Sequence, residues 1–321
     1  MEVNQVFDRP ASRSFYTVAG RFLFYEAVDL RLAQLVQQLF AGWQLTPISP
    51  SSREADIEIR FYNDEPGPDI PPDLEQFEIA EGGRCSTAAD AYYLQFANSV
   101  MRLRQELPVR VDVWFRQMPD RADAEFARIT SFAVCAALRR FGLFELHGAG
   151  VVEPVSGAGV LVIGPSGSGK STLTFQLATA GWAYLSDDEV LLSLNGSEVE
   201  ARGFRSFFAM REVATAGLRN VFEPAGVFSS ERVSQVVPRW LLFTAISGEE
   251  KTRITELGQA DAMIRLIRAC PWATYDTTVA GANIALLSRL ARQAKAFDLA
   301  AGTDLLAPGR AADLLSEHFV G

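Results

Sequence analysis

The sequence predicts an α/β protein, with a phosphate-loop core in its second half preceded by a small α+β domain. Three observations predict it. An apolar stretch, residues 158–163, runs into Gly164-Pro165-Ser166-Gly167-Ser168-Gly169-Lys170-Ser171, which fulfils G-x-x-x-x-G-K-[ST] in a strand–loop–helix setting. One short helix later, Asp187 and Asp188 end the strand-like stretch "WAYLS". In front of all this, residues 1 to about 120 alternate strand and helix patterns without a Gly-rich loop or a cluster of His, Cys or carboxylates. The break "MPDRAD" (118–123) sets the expected boundary, with one domain over 1–122 and the other over 123–321.

Taken in order, "FYTVAGRFLFY" (15–25) reads as two strands about Gly20, and Leu32, Leu35, Val36, Leu39 and Phe40 recur at helical spacing. "ADIEIRFY" (55–62) alternates as a strand does, and "NDEPGPDIPPD" (63–73) is a loop because its prolines remove donors. "AYYLQFA" and "VRVDVWFR" are further strands. With no chemistry visible in it, this domain is read as a docking or oligomerisation module. "AEFARITSFAVCAALRRFG" is a strong helix that ends at Gly142. "LFELHGAGVV" and "GAGVLVIG" are strands joined by a turn, "WLLFTAI" is a later strand, and "QADAMIRLIRA" and "NIALLSRLARQAKAF" (283–297) are helices.

Composition removes several function classes. A net charge of −9 leaves no broad basic face for nucleic acid. Three dispersed cysteines, Cys85, Cys135 and Cys270, form no CxxC pair, which argues against a disulfide framework or zinc site and fits a reducing cytoplasm. The opening residues lack an apolar signal core, and no apolar run reaches the roughly 18 residues of a membrane span. Arginine supplies nearly all 30 basic residues, and only Lys170, Lys251 and Lys295 are lysines. One of the three stands where a phosphate loop needs a slim ammonium.

The loop has a definite chemistry. Its glycines let backbone N–H groups converge on phosphate oxygens, and the helix start adds partial positive charge. Residues 164 and 166–172, Thr172 included, are the expected nucleotide-binding set. Lys170 is placed on the β- and γ-phosphates and the Ser171 hydroxyl on magnesium. Neither an LSGGQ-like segment nor a later strand ending in Asp-Glu is present, so a transporter-type ATPase is disfavoured. A right-handed crossover puts "WAYLS" parallel to the strand before the loop, so Asp187 and Asp188 meet the phosphates at the carboxyl end of the sheet. One carboxylate then serves the metal and the other takes or orients an acceptor proton. Arg239, just ahead of "WLLFTAI", is read as a transition-state arginine. Arg202, Arg205, Arg211 and Arg219 against the single Glu212 form a local positive stretch suited to phosphates or an acidic peptide.

Four pieces in order, "LHGAGVV", the phosphate loop, Asp-Asp after one helix, and "VEARGF" (199–204), resemble the catalytic domain of HPr kinase/phosphorylase and its relatives over about residues 126–260. The resemblance implies a core related to phosphoenolpyruvate carboxykinase, with ATP and magnesium as cofactors. It implies Asp187 as general base, Asp188, Glu200 and Ser171 as metal ligands, and His147 beside the phosphoryl group. It also implies a homo-oligomer. The segment after Glu-x-Arg-Gly, "RSFFAMREVATAG", and the first domain both depart from the family, which turns the expected acceptor from HPr itself toward a serine on another peptide or protein. His318 is incidental. The alternatives are a nucleotide-dependent switch and a kinase for a small hydroxyl compound.

Overall fold

The structure, a computed structural model, describes residues 12–49, 53–79, 82–211, 219–228 and 232–319. The chain divides into two compact units, Met1–Ala41 with Leu45–Phe141 and Gly42–Gln44 with Gly142–Gly321. Each contains a large mixed sheet, and among the described residues no helix is long and apolar enough to cross a membrane.

The first unit holds β1 (Ser12–Val18), β2 (Arg21–Ala27), α1 (Leu30–Phe40), β3 (Thr46–Ile48), β4 (Ile57–Asn63), β5 (Gln76–Glu78), β6 (Arg84–Thr87), β7 (Ala91–Gln95), β8 (Ser99–Arg104), β9 (Val109–Phe115) and α2 (Ala124–Arg139). The strand order is β3-β1-β2-β4-β9-β8-β7-β6-β5. Both helices begin on aspartate caps: Asp29 accepts from the Arg31 and Leu32 amides, Asp123 from that of Glu125. Their apolar faces, Leu32, Val36 and Phe40 on α1 and Phe126, Ile129 and Val134 on α2, are buried. Phe40 meets Tyr25 edge-on and Phe126 packs on Phe115. Helix α2 therefore closes the core of the first unit, and the division falls at Phe141/Gly142 instead of 122/123.

The second unit holds β10 (Phe144–Val152), β11 (Gly159–Ile163), α3 (Lys170–Thr179), β12 (Ala183–Ser186), β13 (Glu189–Asn195), β14 (Glu198–Gly203), the pair β15 (Phe208–Arg211) and β16 (Arg219–Phe222), β17 (Gln235–Val236), β18 (Pro238–Ile246), β19 (Arg253–Leu257), α4 (Gln259–Ala269), α5 (Trp272–Tyr275), α6 (Ala280–Gln293), β20 (Lys295–Ala301) and α7 (Arg310–Phe319). The sheet runs β17-β14-β13-β10-β11-β18-β20-β19, with β12 also on β10. All five residues of β11 are buried, which is why its sequence reads as an unbroken apolar run. Leu173 and Leu177 of α3 and Leu315 and Phe319 of α7 pack with Val160 and Val162 on one side of the sheet. Leu266 of α4 and Leu286, Leu287 and Leu290 of α6 pack with Leu161 and Ile163 on the other. This is a helix–sheet–helix sandwich with the glycine-rich loop of residues 164–171 at one end of its central strand.

One expectation changes here. The helix read over 283–297 stops at Gln293; Ala294 is extended, and Lys295–Ala301 is a strand parallel to β18. Its alanines favour helix, but Phe297 and Leu299 gain burial in the sheet, and packing overrides propensity. Strand β12 runs in the direction of β11 in the same sheet, as expected, with β10 between them antiparallel to both.

Candidate functional site

The site is built along one edge of β10. Residues Phe144–His147 pair with β13 and Gly150–Val152 pair with β12, so β12 and β13 continue one line that is broken at Asp187 and Asp188 and shifts register between Gly150 and Val151. Across β10, Gly148 pairs with Ile163, the last residue before the phosphate loop. The register alone therefore sets the acidic pair, His147 and the loop at one level of the sheet. The break is a tight three-residue turn, in which Glu189 N–H donates to Asp187 O at 2.9 Å and Asp188 at its centre has φ +70°. A non-glycine residue there is strained, and the Asp188 carbonyl is further held by Gly148 N–H at 3.0 Å.

The loop is shaped by close approach. A Cβ on Gly164 would lie 2.5 Å from Ser168 Oγ and 2.7 Å from Thr244 O. Gly167 and Gly169 adopt φ of +83° and +94°, conformations that favour glycine. Ser168 is buried with its hydroxyl 3.1 Å from that of Thr244, while Ser166 and Gly167 are exposed at the loop mouth and Thr172 is exposed on the first turn of α3. The loop meets the acidic pair where Ser171 Oγ donates to Asp187 Oδ1 at 2.9 Å.

Lys170 is buried and its ammonium rests on three acceptors, Gly164 O at 2.8 Å, Pro165 O at 3.2 Å and His147 Nε2 at 3.0 Å. The other imidazole nitrogen, His147 Nδ1, lies 3.5 Å from Asp188 Oδ1. A neutral ring with its proton on Nδ1 satisfies both neighbours. Burial holds the His147 pKa below the ordinary value; the Asp188 carboxylate pulls the other way, and the Lys170 charge lowers it further. The two aspartates differ sharply in access. Asp187 is 1% exposed, whereas the side chain of Asp188 is 41% exposed.

Two expected site residues fall elsewhere. Glu200 pairs with Ser193, four positions along β13 from Glu189, a separation of about 13 Å at strand spacing. Its carboxylate accepts from Asn195 Nδ2 at 2.6 Å and Arg202 Nη2 at 3.2 Å. Arg239 is the second residue of β18, at the level of Gly159 and so at the opposite end of the sheet from the loop, and it pairs with Glu198 at 2.7 Å. Motif order in a sequence carries no register, and register separates both residues from the phosphates. In the positive stretch, Arg202 is taken by Glu200 and Arg205 by Glu189 at 2.7 Å. Residues 212–218, with Glu212, lie outside the described residues, as do the side chains of Arg211 and Arg219. His318 is on the exposed side of α7.

Other groups at the site have no sequence signature. Thr244 supports the loop from the end of β18. Ser186, fully buried, donates to Glu189 O at 2.7 Å and accepts from Arg205 N at 3.0 Å. Gln44 reaches Leu185 O across 141 positions of chain.

Among the described residues no group of three or more His, Cys, Asp or Glu is arranged to hold a metal by itself. Magnesium held on a nucleotide would keep several waters and take one or two protein oxygens beside the phosphates. Ser171 Oγ and Asp187 are the oxygens that the geometry offers.

No protein-family model matches the chain, and no curated protein does. Among solved structures it is similar to the Hpr(Ser) kinase/phosphatase from Coxiella burnetii, at 13% identity and a TM-score of 0.33, over 55% of this chain and 96% of that one. At that distance the reading rests on the geometry above.

The strain at Asp188 has a measurable consequence. Asp188→Gly is expected to raise stability by up to about 1 kcal/mol in chemical denaturation, because glycine relieves the positive φ; a loss of stability would contradict the turn described. The imidazole has another. A pKa lowered on folding brings no penalty above about pH 6.5 and a growing one below it. The stability of wild type relative to His147→Gln should therefore decline between about pH 7 and pH 5, and a flat difference would rule out the neutral ring.

Proposed function

We propose that the chain is an ATP- and magnesium-dependent phosphotransferase that passes the γ-phosphate to a serine or other hydroxyl of a peptide or protein. The observation that carries this reading is the hydrogen bond from Ser171 to Asp187. It ties a complete phosphate loop to an acidic pair whose second member is open to solvent. A loop alone would mark nucleotide binding; a carboxylate pair beside it adds the means to activate an acceptor.

The residues divide the work. Loop amides and the start of α3 receive the phosphates, as the sequence suggests for residues 164–172. The Lys170 ammonium exchanges its carbonyl and imidazole acceptors for β- and γ-phosphate oxygens. Ser171 and Asp187 are the holders of magnesium, which supplies charge neutralisation when bound. The general-base role, expected for Asp187, goes to Asp188 in this proposal, since Asp187 is 1% exposed and already engaged by Ser171, whereas the Asp188 side chain is 41% exposed. Asp188, oriented by His147, takes the hydroxyl proton as the oxygen attacks phosphorus; the bond from the γ-phosphorus to the bridging oxygen breaks and ADP leaves. Glu200 and Arg239 have no part in this scheme.

The test uses γ-labelled ATP, magnesium and a library of serine-containing peptides beside the same library with alanine at serine. Label is expected on the serine set alone. Asp188→Asn should lower transfer by about 10³-fold and leave ATP affinity intact, whereas Lys170→Met should weaken ATP binding itself. Labelled inorganic phosphate with no labelled peptide would favour a switch over a kinase. Loss of ATP binding in a folded Asp188→Asn protein would overturn the assigned role.

A further inference from the structure

Three residues distant in sequence from the phosphate loop belong to the unit that carries it: Gly42–Gln44 cluster with Gly142–Gly321. They lie along the chain that follows β14. Gln44 N–H donates to Phe204 O at 2.8 Å, Ser206 N–H donates to Gly42 O at 2.9 Å, and Trp43 bridges to Arg205 antiparallel, with the Arg205 guanidinium 5.3 Å over its ring. The Gln44 side chain goes further. Its Nε2 donates to Leu185 O at 3.0 Å and to Arg205 O at 3.1 Å. One carboxamide thus spans the last turn of β12 and the exit of β14, two residues before Asp187.

The packing around it leaves no slack. A Cβ on Gly203 would collide with Gln44 Nε2 and lie 2.5 Å from Leu185 O. Gly203 has to be glycine because the backbone carbonyl of Leu185 already fills that space, and the carboxamide packs into the same gap. On the far side of the same segment, the Ser186 hydroxyl accepts from Phe204 N and Arg205 N, and Arg205 pairs with Glu189. The two residues that flank Asp187–Asp188, Ser186 and Glu189, are therefore both tied to Arg205, and Arg205 is tied to Gln44.

We infer that Gln44 is a positioning residue for the acidic turn, holding Asp187 against Ser171 so that the metal seat exists before substrate arrives. This rests on the phosphotransfer reading and assigns Gln44 no contact with substrate. Its neutral amide has two donors for two carbonyls, and those donors are what a residue of the same shape lacks. Methionine keeps the volume and loses both bonds; glutamate presents oxygen to oxygen. Asparagine keeps the donors one methylene short.

The experiment uses the full chain with Gln44→Met, Gln44→Glu and Gln44→Asn. Three quantities are read: ADP affinity without metal, Mn2+ affinity in the presence of ADP by electron paramagnetic resonance, and turnover. Unchanged ADP affinity certifies a folded phosphate loop in each variant. With Met and Glu, Mn2+ affinity and turnover are expected to fall roughly 10-fold or more, and Asn should recover part of both. Met, Glu and wild type with the same Mn2+ affinity and turnover would overturn the inference, and so would a loss of ADP affinity equal to the loss of Mn2+ affinity, which signals general unfolding. If wild type binds Mn2+ with ADP yet labels no acceptor, the kinase reading fails while the effect of Gln44 on the metal still stands or falls on its own. Wild type with no Mn2+–ADP binding overturns both.

Discussion

A ladder interrupted at two residues organises this site. Strand β10 accepts β12 along one half of its edge and β13 along the other, and Asp187 and Asp188 occupy the gap. Regular pairing through the gap would have turned these side chains alternately into the two faces of a packed sheet. The tight turn instead drops one carboxylate inward onto Ser171 and lifts the other into solvent beside His147. A left-handed backbone at Asp188 stores strain, and the surrounding bonds hold it in place: Gly148 to the Asp188 carbonyl, Ser186 to Glu189, Gln44 to Leu185 and Arg205. The difference in access between two adjacent, chemically identical residues follows from that turn.

The same logic explains the resting state of the lysine. With phosphates absent, a buried ammonium needs partners, and Lys170 finds two loop carbonyls and a neutral imidazole.

How much of this was legible in the sequence depends on the range of the interaction. The phosphate loop and the Asp-Asp pair are local signals, a glycine pattern and a short strand, and the structure brings them together as expected through Ser171 and Asp187. The strands "LFELHGAGVV" and "GAGVLVIG", the α2 helix and its stop at Gly142 are likewise local, and the structure contains them. Glu200 and Arg239 were misplaced because matching a motif in order says nothing about which end of a strand a residue occupies. The split of duties between Asp187 and Asp188 needs a φ angle that no propensity supplies. Strand β20 was hidden by alanines that favour a helix until a neighbouring strand pairs with them. Gln44 was illegible for the plainest reason, since its partners lie 141 and 161 positions away. Gly203, visible only as part of "EARG", acquires its physical cause once the Leu185 carbonyl and the Gln44 carboxamide are seen against it.

The central claim is that the buried carboxylate and the loop hydroxyl share one cation at the nucleotide phosphates. Anomalous diffraction from a crystal grown with Mn2+ and a non-hydrolysable ATP analogue tests it most directly. The account predicts a single strong peak in coordination contact with Ser171 Oγ and a phosphate oxygen, with Asp187 bound to it directly or through one water. A peak coordinated by Glu200, or one beyond a water's reach of Asp187, would contradict it.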